Sequence, residues 1–160
     1  MTKKIVKLFE YDGLGFPIIL VNVPVRDVRG VIVPDINYNQ LQQGVLLALC
    51  SKSTPLTGNE LRFIRQYLEK TLTEFAHQFG VTHPTVLHWE KSKDTFAKVT
   101  PTTELCIRLY ILDSLKADDR VFRKTFRRFD CFKFSEEIKS KKKRIEGSPL
   151  RLTPSALITQ

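Results

Sequence analysis

The stretch Leu72-Thr73-Glu74-Phe75-Ala76-His77-Gln78-Phe79-Gly80-Val81-Thr82-His83-Pro84-Thr85-Val86-Leu87-His88-Trp89-Glu90 constrains this chain most, because it reads as two short helices meeting at a tight turn. Thr71 can accept from the free N–H groups of a first helical turn, and Glu74 three residues on can reach back, a capping box. Phe75 and Phe79 supply an inner stripe, Ala76 permits the close approach of a crossing helix, and Gly80 stands where a left-handed stop is cheap. Thr82 then caps a second helix. Pro84 in its first turn lacks only an N–H that would be unpaired there, and Val86 and Trp89, three apart, form a buried edge. His83, Thr85, Leu87 and His88 are left facing outward, and His77 reads as a surface residue of the first helix.

Before this unit, Thr57 with Glu60 makes another capping box. It opens a helix through Lys70 with Leu61, Ile64 and Leu68 inward. After it, the polar loop Lys91-Ser92-Lys93-Asp94 leads to Thr100 as a cap with Pro101 at the first helical position. A helix with Leu105, Leu109 and Leu112 inward follows and completes a four- or five-helix bundle.

With its small residue, Gly-Val-Thr, Val and Trp-Glu in step, the Leu72 to Glu90 stretch resembles the helix-turn-helix of Xre/Cro-type repressors. The run Leu56-Thr57-Gly58-Asn59-Glu60-Leu61-Arg62-Phe63-Ile64-Arg65 narrows the likeness to antitoxin-type regulators related to the YgiT (MqsA-like) group, over residues 56–116. The resemblance implies a lambda-repressor-like bundle, a recognition helix in the major groove of double-stranded DNA, and a homodimer. It assigns base-edge contacts to His83, Thr85, Leu87 and His88, with Leu87 suited to a thymine methyl. Backbone contacts fall to Thr71, Thr82, Lys91, Lys93 and Lys98. It also implies that Arg65 pairs with Glu90, tying the first helix to the end of the recognition helix. Three departures stand out. The paired Cys-x-x-Cys zinc ligands of that group are missing, so neither zinc nor any other cofactor is expected; Pro84 and Leu87 stand where such recognition helices often carry polar residues; and Leu72 occupies a position where many relatives grip phosphate with Gln.

The N-terminal region is of a different kind. Lys4 to Tyr11 and Phe16 to Val25 are β-branched and aromatic runs separated by the turn Asp12-Gly13-Leu14-Gly15. Arg26 to Gly30 makes a second turn before the short strand Val31-Ile32-Val33, which Pro34-Asp35 closes. Leu41, Val45, Leu46 and Leu49 then recur at helical spacing, an amphipathic helix from about Asn39 to Lys52 whose stripe belongs in a core. The fold class expected is α+β: a small N-terminal antiparallel sheet with a helix (1–54), the helix-turn-helix domain (55–116), and a basic amphipathic helix with a tail (117–160).

In that last segment Phe122, Phe126 and Phe129 fall at i, i+4 and i+7 among Arg120, Arg123, Lys124, Arg127 and Arg128. They define a helix from about Asp118 to Asp130 whose aromatic face needs a cover. Lys141-Lys142-Lys143-Arg144 offers charge to phosphate, and Leu150-Arg151-Leu152 an edge strand. The net charge of +9 is concentrated here: twelve basic against six acidic groups, compared with six against four before residue 56. Such a surplus favours a polyanionic partner.

Cys50, Cys106 and Cys131 are far apart with apolar neighbours, which reads as buried thiols in a reducing compartment. No apolar run approaches the roughly 18 residues of a membrane span, and Met1-Thr2-Lys3-Lys4 does not begin a signal peptide, so a cytoplasmic protein without membrane partners is expected. None of the three histidines has a Ser, Cys or paired carboxylate at a supporting spacing, and no Gly-rich phosphate loop occurs; no enzyme is expected. The expected function is sequence-specific duplex DNA binding as a transcriptional regulator. Its alternative is an antitoxin that holds a toxin protein through the sheet or the aromatic helix.

Overall fold

In a computed structural model the chain is described over residues 4–139 and 150–153, and its class is α+β. Strands β1 (Lys4–Tyr11), β2 (Ile18–Val28) and β3 (Val31–Pro34) come first. Helices α1 (Tyr38–Ser51), α2 (Gly58–Tyr67), α3 (Leu72–Gln78), α4 (His83–Glu90), α5 (Pro101–Ser114), α6 (Asp119–Arg128) and α7 (Cys131–Lys139) follow, then β4 (Leu150–Leu152). Lys141–Arg144 lies outside the described residues. The chain divides into two compact units, Met1–Val45 with Pro149–Gln160, and Leu46–Ser148.

In the first unit β2 is the central strand. It pairs antiparallel with β1 along one edge; β3, antiparallel, and β4, parallel, share the other. The expected edge strand at Leu150 is thus present. Arg29 (φ +56°) and Gly30 (φ +85°) form the two-residue turn between β2 and β3, and Asp27 accepts from the Gly30 N–H at 2.7 Å. Ile18 and Leu20 point inward, and strict alternation would send residue 22 in next, yet Val23 and Val25 are the buried ones. Asn22, at φ +53°, absorbs the step. Its neighbour β1 slips with it, keeping Phe9 opposite Leu20 and Val6 opposite Val23 on one face, and Leu8 opposite Val21 and Ile5 opposite Pro24 on the other.

The second unit is helical. Leu46, Leu49, Leu56, Leu61, Ile64, Phe75, Ile107, Ile111 and Leu112 are at most 1% exposed and form its core. Each such side chain contributes roughly 1.5–3 kcal/mol by leaving water. Three expectations need correction here. α2 ends at Tyr67, because Glu69 turns left-handed at φ +53°, and Leu68 is half-buried at the C-cap. On α5 the inward positions are Ile107, Ile111 and Leu112 with Glu104 and Arg108, whereas Leu105 and Leu109 are half-buried. Cys50 is buried as expected, but Cys106 and Cys131 are exposed, the former because the inward arc of α5 passes through residues 104, 107, 108 and 111.

Glu104 and Arg108 organise the link between α1 and α2. The Arg108 guanidinium donates to the carbonyls of Cys50 (3.3 Å), Lys52 and Thr54 (2.8 Å) and to Glu104 Oε1 (2.8 Å), which also accepts from the Leu56 N–H at 2.9 Å. Phe129 and Phe134 close over the guanidinium, 5.6 and 5.0 Å from its carbon. Burial pushes the Glu104 carboxyl above its usual range, and Arg108 pulls it back. Lys52, on the same link, pairs with Glu60 of α2 at 2.8 Å.

Candidate nucleic-acid interface

α3 and α4 form the two-helix unit around Gly80 (φ +67°). Thr71 Oγ1 accepts from the Glu74 N–H at 3.1 Å while Glu74 accepts from the Thr71 N–H at 2.7 Å, so the capping box starts α3 as expected. These bonds hold the exposed Glu74 carboxyl below its ordinary pKa. Thr82 is the N-cap of α4 by backbone conformation, but its side chain makes no capping bond. Its hydroxyl lies 2.8 Å from that of Thr85, and Thr100 likewise turns to Thr103 at 2.8 Å before α5. Both helices carry a proline in the first turn, and in both the N-cap hydroxyl meets the hydroxyl of a threonine three residues on.

Two devices set the pose of α4. Arg65 of α2 grips both oxygens of Glu90 at the end of α4, through Nε at 2.5 Å and Nη2 at 3.1 Å, and donates from Nη1 to the Lys70 carbonyl at 3.0 Å. The expected contact is present as a bidentate, largely buried pair. The second device is Gly58, first residue of α2. A Cβ there would lie 2.5 Å from the Trp89 carbonyl oxygen, 2.6 Å from the Lys93 N and 2.8 Å from the Glu90 carbonyl oxygen. Only glycine lets the start of α2 touch the end of α4. The free N–H groups of Gly58 and Asn59 are taken by the carbonyls of Thr95 (3.3 Å) and Lys93 (2.9 Å), and Asn59 Nδ2 donates to Asp94 at 2.8 Å. The loop after α4 is therefore clamped to α2, with Lys93 held left-handed at φ +51°.

On the outer side of α4, His83 and His88 are exposed and Thr85 and Leu87 half-exposed, while Val86 and Trp89 are buried, 1% and 4% exposed. Lys91 and Lys93 are exposed at its C-terminal end, and a groove of about 420 Å³ runs there, lined by Arg62, Arg65, Leu72, Leu87, Lys91 and Lys93 among others. Arg65 is neutralised by Glu90, which leaves Arg62, Lys91 and Lys93 as the groove's cations without an ion-pair partner among the described residues. Arg62 was missed by sequence reasoning. It lies one turn beyond Gly58 on the outward side of α2, so the helical period combined with the Gly58 contact would have found it. Thr71 and Thr82 are exposed near the two helix starts, and Lys98 is exposed on the segment before α5 and does not line the groove. Among the described residues no group of His, Cys, Asp and Glu is placed to hold a metal, and no helix is long and apolar enough to cross a membrane.

The surface thus carries two histidines, a threonine hydroxyl and an apolar side chain on the helix face, with cations at its C-terminal end. No protein-family model, curated protein or solved structure matches the chain.

Proposed function

We propose that this chain binds double-stranded DNA with sequence preference, as a homodimeric transcriptional regulator that lays α4 in the major groove. The observation that carries this reading is the division of labour around α4. Arg65–Glu90 and Gly58 hold the helix, its outer side presents His83, Thr85, Leu87 and His88, and Arg62, Lys91 and Lys93 gather at one end. That is what reading base edges between two phosphate chains requires. Phosphate grip passes here to cations of α2 and the loop after α4, since Leu72 has no polar group to offer.

Titration of the gene's own promoter and of a scrambled duplex at two salt concentrations tests the reading. Thr85→Ala with His88→Ala should cost roughly 1–3 kcal/mol per good hydrogen-bonded base on the preferred site and barely change scrambled-DNA affinity. Lys91→Ala with Lys93→Ala should weaken both duplexes alike and flatten the salt dependence by about one unit of log–log slope for each phosphate that no longer meets a cation. Equal losses on both duplexes from both double variants would sink base reading by α4.

A second reading, an antitoxin that holds a toxin protein, draws support from α6. Val121, Phe122 and Phe126 on that helix are 39%, 38% and 59% exposed, beside five basic residues. The aromatic face expected to be covered is only partly so within the described chain, where α6 and α7 pack on α5. Loss of toxin binding in Phe126→Ser with DNA affinity intact would favour this role for α6.

A further inference from the structure

We infer that two copies of this chain join through β1, edge to edge and antiparallel, about a two-fold axis between Lys7 and Leu8. The inference deepens the dimeric part of the function proposed above, on which it rests, by naming the surface. Among the described residues β1 is hydrogen-bonded to β2 alone, so its other edge is unpaired. Ile5 and Leu8, 67% and 53% exposed, stand on the face of the sheet turned away from its core.

The slip at Lys7 and Asn22 selects the partner. Because of it, β1 presents Lys4, Val6, Phe9 and Tyr11 to the core face and Ile5, Leu8 and Glu10 to the outer face, with Lys7 at the slip itself, a pattern without simple alternation. An arbitrary strand laid on this edge would cross faces partway along. A second β1 turned by the two-fold axis does not: Lys4 meets Tyr11, Ile5 meets Glu10, Val6 meets Phe9 and Lys7 meets Leu8. Each of the first three pairs shares one face. A shift by one residue sets Val6 against Leu8 or Glu10, across the faces, and one of those shifts also sets Lys7 against Lys7.

Charge agrees with the same register. Glu10, on the outer face opposite the second copy's Ile5, lies diagonal to the exposed Lys7 at that copy's slip, and symmetry forms this pair twice. The result is one continuous sheet through both copies, with the two Ile5 and Leu8 pairs clustered on its outer face.

Sedimentation of the full chain across micromolar concentrations tests the interface in four forms: unaltered, Leu8→Lys, Glu10→Lys, and Glu10→Lys with Lys7→Glu. All three positions are exposed, so the fold should hold, as circular dichroism will verify. The unaltered chain should dimerise, and Leu8→Lys and Glu10→Lys should each weaken association about tenfold, every altered pair counting twice. The double charge reversal should restore most of the loss. A monomeric unaltered chain overturns the inference, as does a dimer indifferent to Leu8→Lys or a double reversal no tighter than Glu10→Lys. Should Leu8→Lys misfold, the charge-reversal pair decides. An unaltered chain that dimerises in this way yet binds both duplexes equally would defeat the DNA reading and leave the β1 interface standing.

Discussion

Replacing Arg108 by Met isolates the interaction that sets where the helix-turn-helix begins. Met keeps an apolar stem beneath Phe129 and Phe134 but removes every donor that Arg108 gives to Cys50, Lys52, Thr54 and Glu104. Glu104, fully buried, is left with the Leu56 N–H alone at 2.9 Å. Removing one partner of a buried pair costs about 3–5 kcal/mol, out of a total stability of about 5–15 kcal/mol. For a domain of this size the melting temperature should fall by roughly 12 °C or more. The destabilisation should also depend on pH. Burial already raises the Glu104 carboxyl, and without Arg108 it rises further. A raised folded-state value means the folded chain holds its proton while the unfolded chain releases it. The stability of the variant is thus retained below the ordinary carboxylate range and lost as pH climbs through the folded value. Urea unfolding followed by circular dichroism should show a larger deficit at neutral pH than at about pH 5, and adding Glu104→Gln should recover part of it. A deficit below about 1 kcal/mol, or one equal at both pH values, would refute the claim that Arg108 chiefly compensates a buried carboxylate.

Gly58→Ala should destabilise by about 1–3 kcal/mol, since all three atoms its Cβ would meet are backbone; amide chemical shifts that left Trp89 to Lys93 unmoved would contradict this. Arg65→Ala strands the largely buried Glu90 carboxylate and should cost on the order of 3 kcal/mol in thermal or urea unfolding. A thiol-reactive probe at neutral pH should label Cys106 and Cys131 quickly and spare Cys50, whose thiol burial pushes up to about 12; fast labelling of all three would show that α1 does not shield it.

Signals that act within one turn of chain could be read from residue order alone. The Thr57–Glu60 and Thr71–Glu74 boxes, the left-handed Gly80 and the stripe Leu41, Val45, Leu46, Leu49 depend on neighbours within about one turn, the strand Lys4–Tyr11 on its own run of β-forming residues, and all are in place. Arg65 with Glu90 was legible only through resemblance to a known unit. The rest depends on groups that meet across long separations. Arg108 reaches the Cys50 carbonyl over 58 positions, and nothing in the period of α5 distinguishes that arginine from a solvated one until the link between α1 and α2 folds over it. Gly58 looks like a weak helix start in sequence, and its purpose emerges only when the backbone of Trp89 and Lys93 arrives beside it. The slip at Asn22 changes which residues of two strands face the core, although both strands keep their β-forming composition. Residue order determined the local elements because dihedral preference and capping are short-range forces. Tertiary packing decided which polar groups would be buried, and so which had to find partners, because desolvation is a property of the assembled interior.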